Sequence, residues 1–246
     1  MKKILSILMV LIMAGTVSAC GGNQESTEPP TAESTTVEAE STEESTTEEK
    51  SKEPTEVELV DYGYTLSQES ENAVVLYAVK IKNPNERYAI NYPVITITAR
   101  DVDNKILSTE DMTLSCISAG DTIIYANKMY YEGNLPETVE ISAGNRDDNY
   151  TLQLLSDAIY QEDIVIENTS ENIGERKRTY TGEITNNSDT DMDAAISIVF
   201  TKEGKLLGGT TSYVDDIGAG ETKAFEVSST KTISDYDAYE IHAIQW

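Results

Sequence analysis

The sequence predicts an all-β protein: two tandem β-sandwiches behind a cleavable leader and an unstructured acidic tract. Three observations predict it. Residues 57–246 carry one strand-and-turn pattern written twice. Each copy alternates apolar and polar residues with the period of a half-buried strand. The residues ahead of them divide into a short apolar run and a tract nearly devoid of apolar side chains.

The chain opens "MKKILSILMVLIMAGTVSAC". Lys2 and Lys3 make a short positive region, and Ile4 to Gly15 is an apolar run of signal-peptide length. A bilayer-spanning helix needs about 20 apolar residues, which this run does not reach. Ser18 and Ala19 then precede Cys20. This arrangement resembles the lipobox of bacterial lipoproteins, with Val17 where that family most often has leucine. The resemblance implies that residues 1–19 are removed and that Cys20 becomes the first residue, bearing a diacylglyceryl group. Two acyl chains give stable anchoring, at about 0.8 kcal/mol per buried methylene. The implied partner is therefore a membrane, and the implied location its extracytoplasmic face.

Residues 20–56 follow as a tether. From Gly21 to Glu56 serine, threonine, glutamate and proline dominate, no aromatic residue occurs, and Val37 is the only branched aliphatic. Such a tract cannot bury enough apolar surface to offset its ordering entropy. A flexible coil of this length holds its ends about 30–36 Å apart, and its eleven glutamates against two lysines swell it further. The whole chain has a formal net charge of −26, and most of that acidity lies beyond the tether. A body this acidic repels polyphosphates, so nucleic acid is excluded as a partner.

The repeat is legible word by word. "YAVKIKN" (Tyr77–Asn83) matches "YTGEITN" (Tyr180–Asn186) at an offset of 103. "ITITA" matches "ISIVF" at 101; "KILS" matches "KLLG", "ISAGD" matches "IGAGE" and "VEISA" matches "YEIHA", all at 100. The offset shrinks only inside two loops, "PNERYAINYP" against "NSDTDMDA" and "RDVDNK" against "TKEGK", and loops are where length changes are tolerated. Val75, Tyr77, Val79 and Ile81 share one strand face and Lys80 and Lys82 the other; Ile95, Ile97 and Ala99, and likewise Ile196, Ile198 and Phe200, share faces. "DVDNK" and "KEGK" supply residues that accept the positive φ of a hairpin. "LQLLSDAIY" (Leu152–Tyr160) reads as a turn or two of helix or as the first strand of the second unit. About seven short strands per unit with frequent turns read as immunoglobulin-like sandwiches, expected over residues 57–148 and 149–246.

The strand, the polar hairpin, "KILS" or "KLLG", and then "AGD" or "AGE" before an aromatic strand resemble the FxLYD-type immunoglobulin-like domains of bacterial surface lipoproteins. The resemblance covers about 80 residues of each copy. At the signature pair before the hairpin the chain has Arg100-Asp101 and Thr201-Lys202 instead. The resemblance implies an immunoglobulin-like fold and no catalytic residues.

Chemistry is sparse. His242 is the one histidine and matches Ser142, so a solvent-facing position is expected. Cys116 matches Asp216, which argues against a deep core position. Neither has a partner in sequence that marks a nucleophile or a zinc site, and with Cys20 acylated no intrachain disulfide can form. The metal candidates are Asp189, Asp191 and Asp193 of "DTDMD". Calcium favours carboxylates on loops, although the glycine and distal glutamate of a calcium loop are absent. No cofactor is expected.

Fourteen tyrosines stand against two phenylalanines and one tryptophan. Tyrosine suits half-buried strands and also binding surfaces. Tyr88, Tyr92, Tyr125, Tyr130 and Tyr131 are the candidate ligand residues, and the second copy has no equivalent of Tyr130 and Tyr131. The expected function is non-enzymatic: a membrane-anchored lipoprotein displaying two sandwiches that bind a protein or glycan, or assist an envelope complex. A calcium-dependent or carboxylate-based surface enzyme and a structural spacer are the alternatives.

Overall fold

In each repeat the first, second and fifth principal strands make one antiparallel sheet, and the third, fourth and sixth make the other. The computed structural model describes residues 53–146, 149–153 and 158–246. In the first unit β1 (Glu58–Glu69), β2 (Asn72–Lys82) and β7 (Thr122–Glu132) form a sheet in the order β1-β2-β7, opposed by β5 (Ile106–Thr113), β4 (Pro93–Arg100) and β8 (Thr138–Asn145) in the order β5-β4-β8. In the second, β10 (Ile164–Ile173), β11 (Lys177–Asn186) and β14 (Thr222–Thr230) oppose β13 (Lys205–Ile217), β12 (Met192–Lys202) and β15 (Ala238–Gln245), again with matching strand orders. The fold is all-β, with tandem sandwiches. The leader, Cys20 and most of the tether lie outside the described residues.

The alternation read from sequence accounts for both cores. Val75, Tyr77, Val79 and Ile81 of β2 pack on Ile95, Ile97 and Ala99 of β4. Tyr180 and Ile184 of β11 pack on Ile196, Ile198 and Phe200 of β12. The hairpin expectations hold as well. Asn104, Glu203 and Gly204 all have positive φ, as do Gly120 and Gly220 in the "SAGD" and "GAGE" turns.

Two features depart from the expectation. Each unit has six principal strands rather than about seven, and the first adds a small sheet of β6 (Cys116–Ile117), β3 (Tyr88–Asn91) and β9 (Tyr150–Leu152). Because β9 pairs with β3, residues 150–152 complete the first unit, past the boundary expected at residue 148. The described part of "LQLLSDAIY" is neither helix nor the first strand of the second unit, which is β10.

The second departure concerns β2, which is buried on both faces from Ala73 to Val79. Its outward residues Val74, Leu76 and Ala78 meet the second unit, because the β2 sheet packs face to face on the β12 sheet. Strand β13 lies across the β2 sheet. Its Leu206 sits over Gly63 of β1, its Gly208 over Leu76 of β2, and its Gly209 over Ala126 of β7. Small residues let the two backbones approach this closely. Thr65 Oγ1 donates to the Leu207 carbonyl at 2.7 Å. The Ala126 amide donates to Ser197 Oγ at 3.2 Å, and the Ala126 carbonyl accepts from Thr211 Oγ1. Ala126 stands on edge strand β7, so these side chains satisfy polar backbone groups that the sheet itself leaves open.

Each repeat also closes on a buried asparagine, the last letter of the longest matched words. Asn83 Nδ2 donates to the carbonyls of Tyr88, Ile117 and Ser118 at 2.8, 2.9 and 3.1 Å. Asn186 Nδ2 donates to those of Thr190, Ile217 and Gly218 at 2.8, 3.1 and 3.3 Å. In the first unit Asn85 carries the chain of bonds onward. It donates to Asn83 Oδ1 at 2.8 Å and grips the Thr55 backbone through both amide atoms at 2.7 Å each. The point where the tether meets the sandwich is thus fixed by side-chain hydrogen bonds.

Candidate binding cleft

The first unit's longer loop, "PNERYAINYP", supplies β3 and the turn into β4. Among the described residues the second copy has no small sheet at the corresponding place. Between β3, β6 and β9 lies a cleft of about 340 Å³ lined by Ala89, Asn91, Tyr92, Ser115, Cys116, Ser118, Thr151, Leu152, Gln153, Ile159 and Gln245. None of these described residues carries a charge, although a quarter of the chain's residues are charged.

The cleft floor is fixed. Ser118 Oγ donates to the Ile159 carbonyl at 2.6 Å, Gln153 Nε2 donates to Ser118 Oγ at 2.9 Å, and the Ala119 amide donates to Gln153 Oε1 at 2.6 Å. Asn91 Nδ2 donates to Thr151 Oγ1 at 2.6 Å, which leaves Asn91 Oδ1 as an acceptor. Tyr92 stands at the mouth, 56 % exposed, with φ of 55°. That left-handed conformation costs a bulky residue on the order of 1–3 kcal/mol, and such residues cluster at functional sites. The Tyr92 amide is held by the Ser115 carbonyl at 2.9 Å. Leu152 is also exposed at this site.

Cys116 is half-buried, and burial together with the neighbouring Asp121 carboxylate pushes its thiol up to about 11. A thiol is nucleophilic only as the thiolate. Alkylation of Cys116 at pH 8 is therefore expected to run about a hundredfold slower than that of an unperturbed cysteine, its rate climbing through pH 11. Iodoacetamide labelling followed by mass measurement across pH checks this.

The five candidate tyrosines do not converge. Tyr88 and Tyr92 sit at the β3 end of the first unit, where the Asn83 amide bonds the Tyr88 carbonyl. Tyr130 and Tyr131 lie at the opposite end of β7, whose Thr122 pairs with Lys82 and whose Glu132 pairs with Asn72. The separation along the strand is about 26 Å. Tyr130 is exposed beneath the Lys128 ammonium, and the half-buried Tyr131 donates its hydroxyl to the Asn134 carbonyl. Tyr125 is a correction: it is fully buried, stacked on Trp246 at 6.0 Å and linked to Tyr213 by a 3.4 Å hydroxyl contact. Its ring serves packing between the units and presents no surface to a ligand.

The acidic motif is corrected too. Asp191 Oδ1 accepts the Ala219 amide at 3.0 Å, and Asp193 Oδ1 accepts the Asp216 amide at 2.7 Å. The first bond ties the loop before β12 to the β13–β14 turn, the second ties the start of β12 to the end of β13, and Asp189 does not join them among the described residues. Among the described residues no three His, Cys, Asp or Glu side chains cluster in a way that holds a metal ion. His242 is half-buried rather than solvent-facing, because its strand belongs to the sheet that meets the first unit; its Nε2 lies 2.9 Å from Glu240 Oε2.

Of the candidate ligand residues only Tyr92 lines this cleft, Tyr88 lies on the same strand outside it, and sequence reasoning missed Asn91, Ser115, Thr151, Gln153 and Gln245. The available signal was the length difference between the two copies, since the cleft is built where the first copy has residues that the second lacks. No family model matches the chain, and no curated protein matches it. Among solved structures it is similar to red sea bream transglutaminase at 11 % identity and a TM-score of 0.19, over 70 % of this chain and 27 % of that one. The chain thus spans about a quarter of that protein's length, and a likeness at this level carries no functional argument.

Proposed function

We propose that the chain is a lipid-anchored surface protein whose acidic tether holds a double β-sandwich off the extracytoplasmic face of a membrane, where it binds an envelope protein or glycan. The observation that carries the binding role is the cleft beside exposed Tyr92 and Leu152, whose described lining is uncharged and which borders a small sheet that, among the described residues, the second unit lacks. A duplicated scaffold that serves only as a spacer has no use for that asymmetry. The anchoring role rests on the resemblance at Cys20, and among the described residues no helix is long and apolar enough to cross a membrane.

Two measurements test the reading. Cys20→Ser is expected to move the protein from the membrane fraction to the soluble fraction of cells that express it. Retention on the membrane would remove the lipid anchor from the account. Crosslinking on intact cells, followed by pull-down of the tethered protein, is expected to recover a partner above background, and recovery of none would count against binding.

A further inference from the structure

Given the binding role proposed above, on which this inference rests, the composition of the cleft narrows the chemistry of its occupant. We infer that the ligand is a neutral, polyhydroxylated chain: an uncharged oligosaccharide. Three features of the cleft point to that chemistry. First, the described residues that line the cleft carry no charge in a chain of net charge −26, so they pair with no carboxylate, phosphate or ammonium group. Second, its open polar groups are amides and hydroxyls. Ser115 and Gln245 have no side-chain hydrogen bond among the described residues, and Asn91 Oδ1 is free to accept. Amide and hydroxyl groups in the lining match the paired donors and acceptors of sugar hydroxyls. Third, Tyr92 holds its ring at the mouth in a backbone conformation that a bulky residue avoids. An aromatic ring in the same lining as amides and hydroxyls accommodates a sugar, which has an apolar C–H face and a polar rim.

The fixed floor of Ser118, Gln153 and Ile159 gives this site its rigidity. The ligand's hydroxyls would meet the remaining groups without reorganising the fold, which limits the entropy lost on binding. Cys116 lies inside the cleft and provides a reporter at the site itself.

The test uses the full chain carrying Cys20→Ser, so that Cys116 is the sole reactive thiol once the other is removed. Neutral oligomers of glucose, mannose and N-acetylglucosamine are titrated by calorimetry, beside oligogalacturonate and oligolysine. At least one neutral oligomer is expected to bind with a submillimolar Kd and to slow alkylation of Cys116 at pH 9 at least threefold. The variant Tyr92→Gly relieves the positive φ and therefore keeps the fold. It is expected to bind the same oligomer at least tenfold more weakly with an undiminished Tm. Binding that leaves Cys116 unprotected, or that Tyr92→Gly does not weaken, overturns the assignment to this cleft. Failure of every neutral oligomer at millimolar concentration overturns the sugar assignment, and so does preference for either charged probe. The crosslinking experiment decides the broader binding role separately, since a protein partner recovered there survives the loss of the sugar.

Discussion

Asn186→Ala is expected to lower the stability of the folded chain by about 3 kcal/mol or more and its Tm by about 6–12 °C. The amide is fully buried and donates to three carbonyls, while its Oδ1 accepts the Ser188 amide at 3.0 Å and the Ser188 hydroxyl at 2.7 Å. Alanine removes every one of these partners and adds none. A buried carbonyl or amide left unpaired costs about 1–3 kcal/mol, and several are orphaned together. Thermal unfolding followed by circular dichroism checks the value. Asn83→Ala is expected to cost at least as much, because Asn83 also positions Asn85 and through it the Thr55 backbone. A loss below 1 kcal/mol in both variants would show that water replaces the amide and that the motif is not a lock.

Gly63→Ala is the second large effect. A Cβ at this position overlaps the backbone carbonyl of Leu206, and no rotamer change relieves a backbone clash. Either the β2 and β12 sheets separate or β1 bends. Overpacking costs about 1–3 kcal/mol and occasionally more, and the upper end is expected here. Gly208→Ala acts on the same contact from the other side, since its Cβ falls 2.5 Å from the Leu76 carbonyl oxygen. Denaturant unfolding with Tyr125–Trp246 stacking as the fluorescence probe reports the loss. If the packing is as described, the two substitutions are less than additive, because one separation of the sheets relieves both. Additive losses would mean that the sites act independently.

Much of the fold was legible because the repeat supplies its own control. Two copies in the same order expose which positions must stay apolar, and the period-two pattern then names the core face. Where the pattern misled was β2. Val74, Leu76 and Ala78 sit among the inward residues in one apolar run, and such a run is what a strand buried on both faces looks like. Period-two reasoning sees one face and assigns the other to solvent. Arg178 was hidden for a related reason. Its counterpart is Val75, so nothing in the repeat marks a cation that inserts between Phe200 and Tyr236 and donates to the Ile233 carbonyl at 2.8 Å. The tyrosine candidates failed as a group because composition counts rings and cannot say which end of a strand each one reaches. The buried Tyr125 needed the second unit's Trp246 to explain it, and that contact joins residues 121 positions apart.

The contact between the β2 and β12 sheets also bears on self-association between copies of this pair of units. It joins unlike faces, so an unmodified duplication would offer the same pair of faces again at both ends, and a head-to-tail contact that does not close propagates into fibres. Here the free ends have been rewritten. Ser197 and Val199 of the docked face are Thr96 and Thr98 in the first copy, and Gly209 and Thr211 are Thr109 and Asp111. On the other side Ala78 and Ala126 correspond to Thr181 and Glu226. Hydroxyls and carboxylates stand where close backbone approach would be required, as in the terminal repeats of a solenoid. The two outer faces that correspond to the joint are thus closed to head-to-tail contact, and one copy of the pair does not extend the joint onto the next.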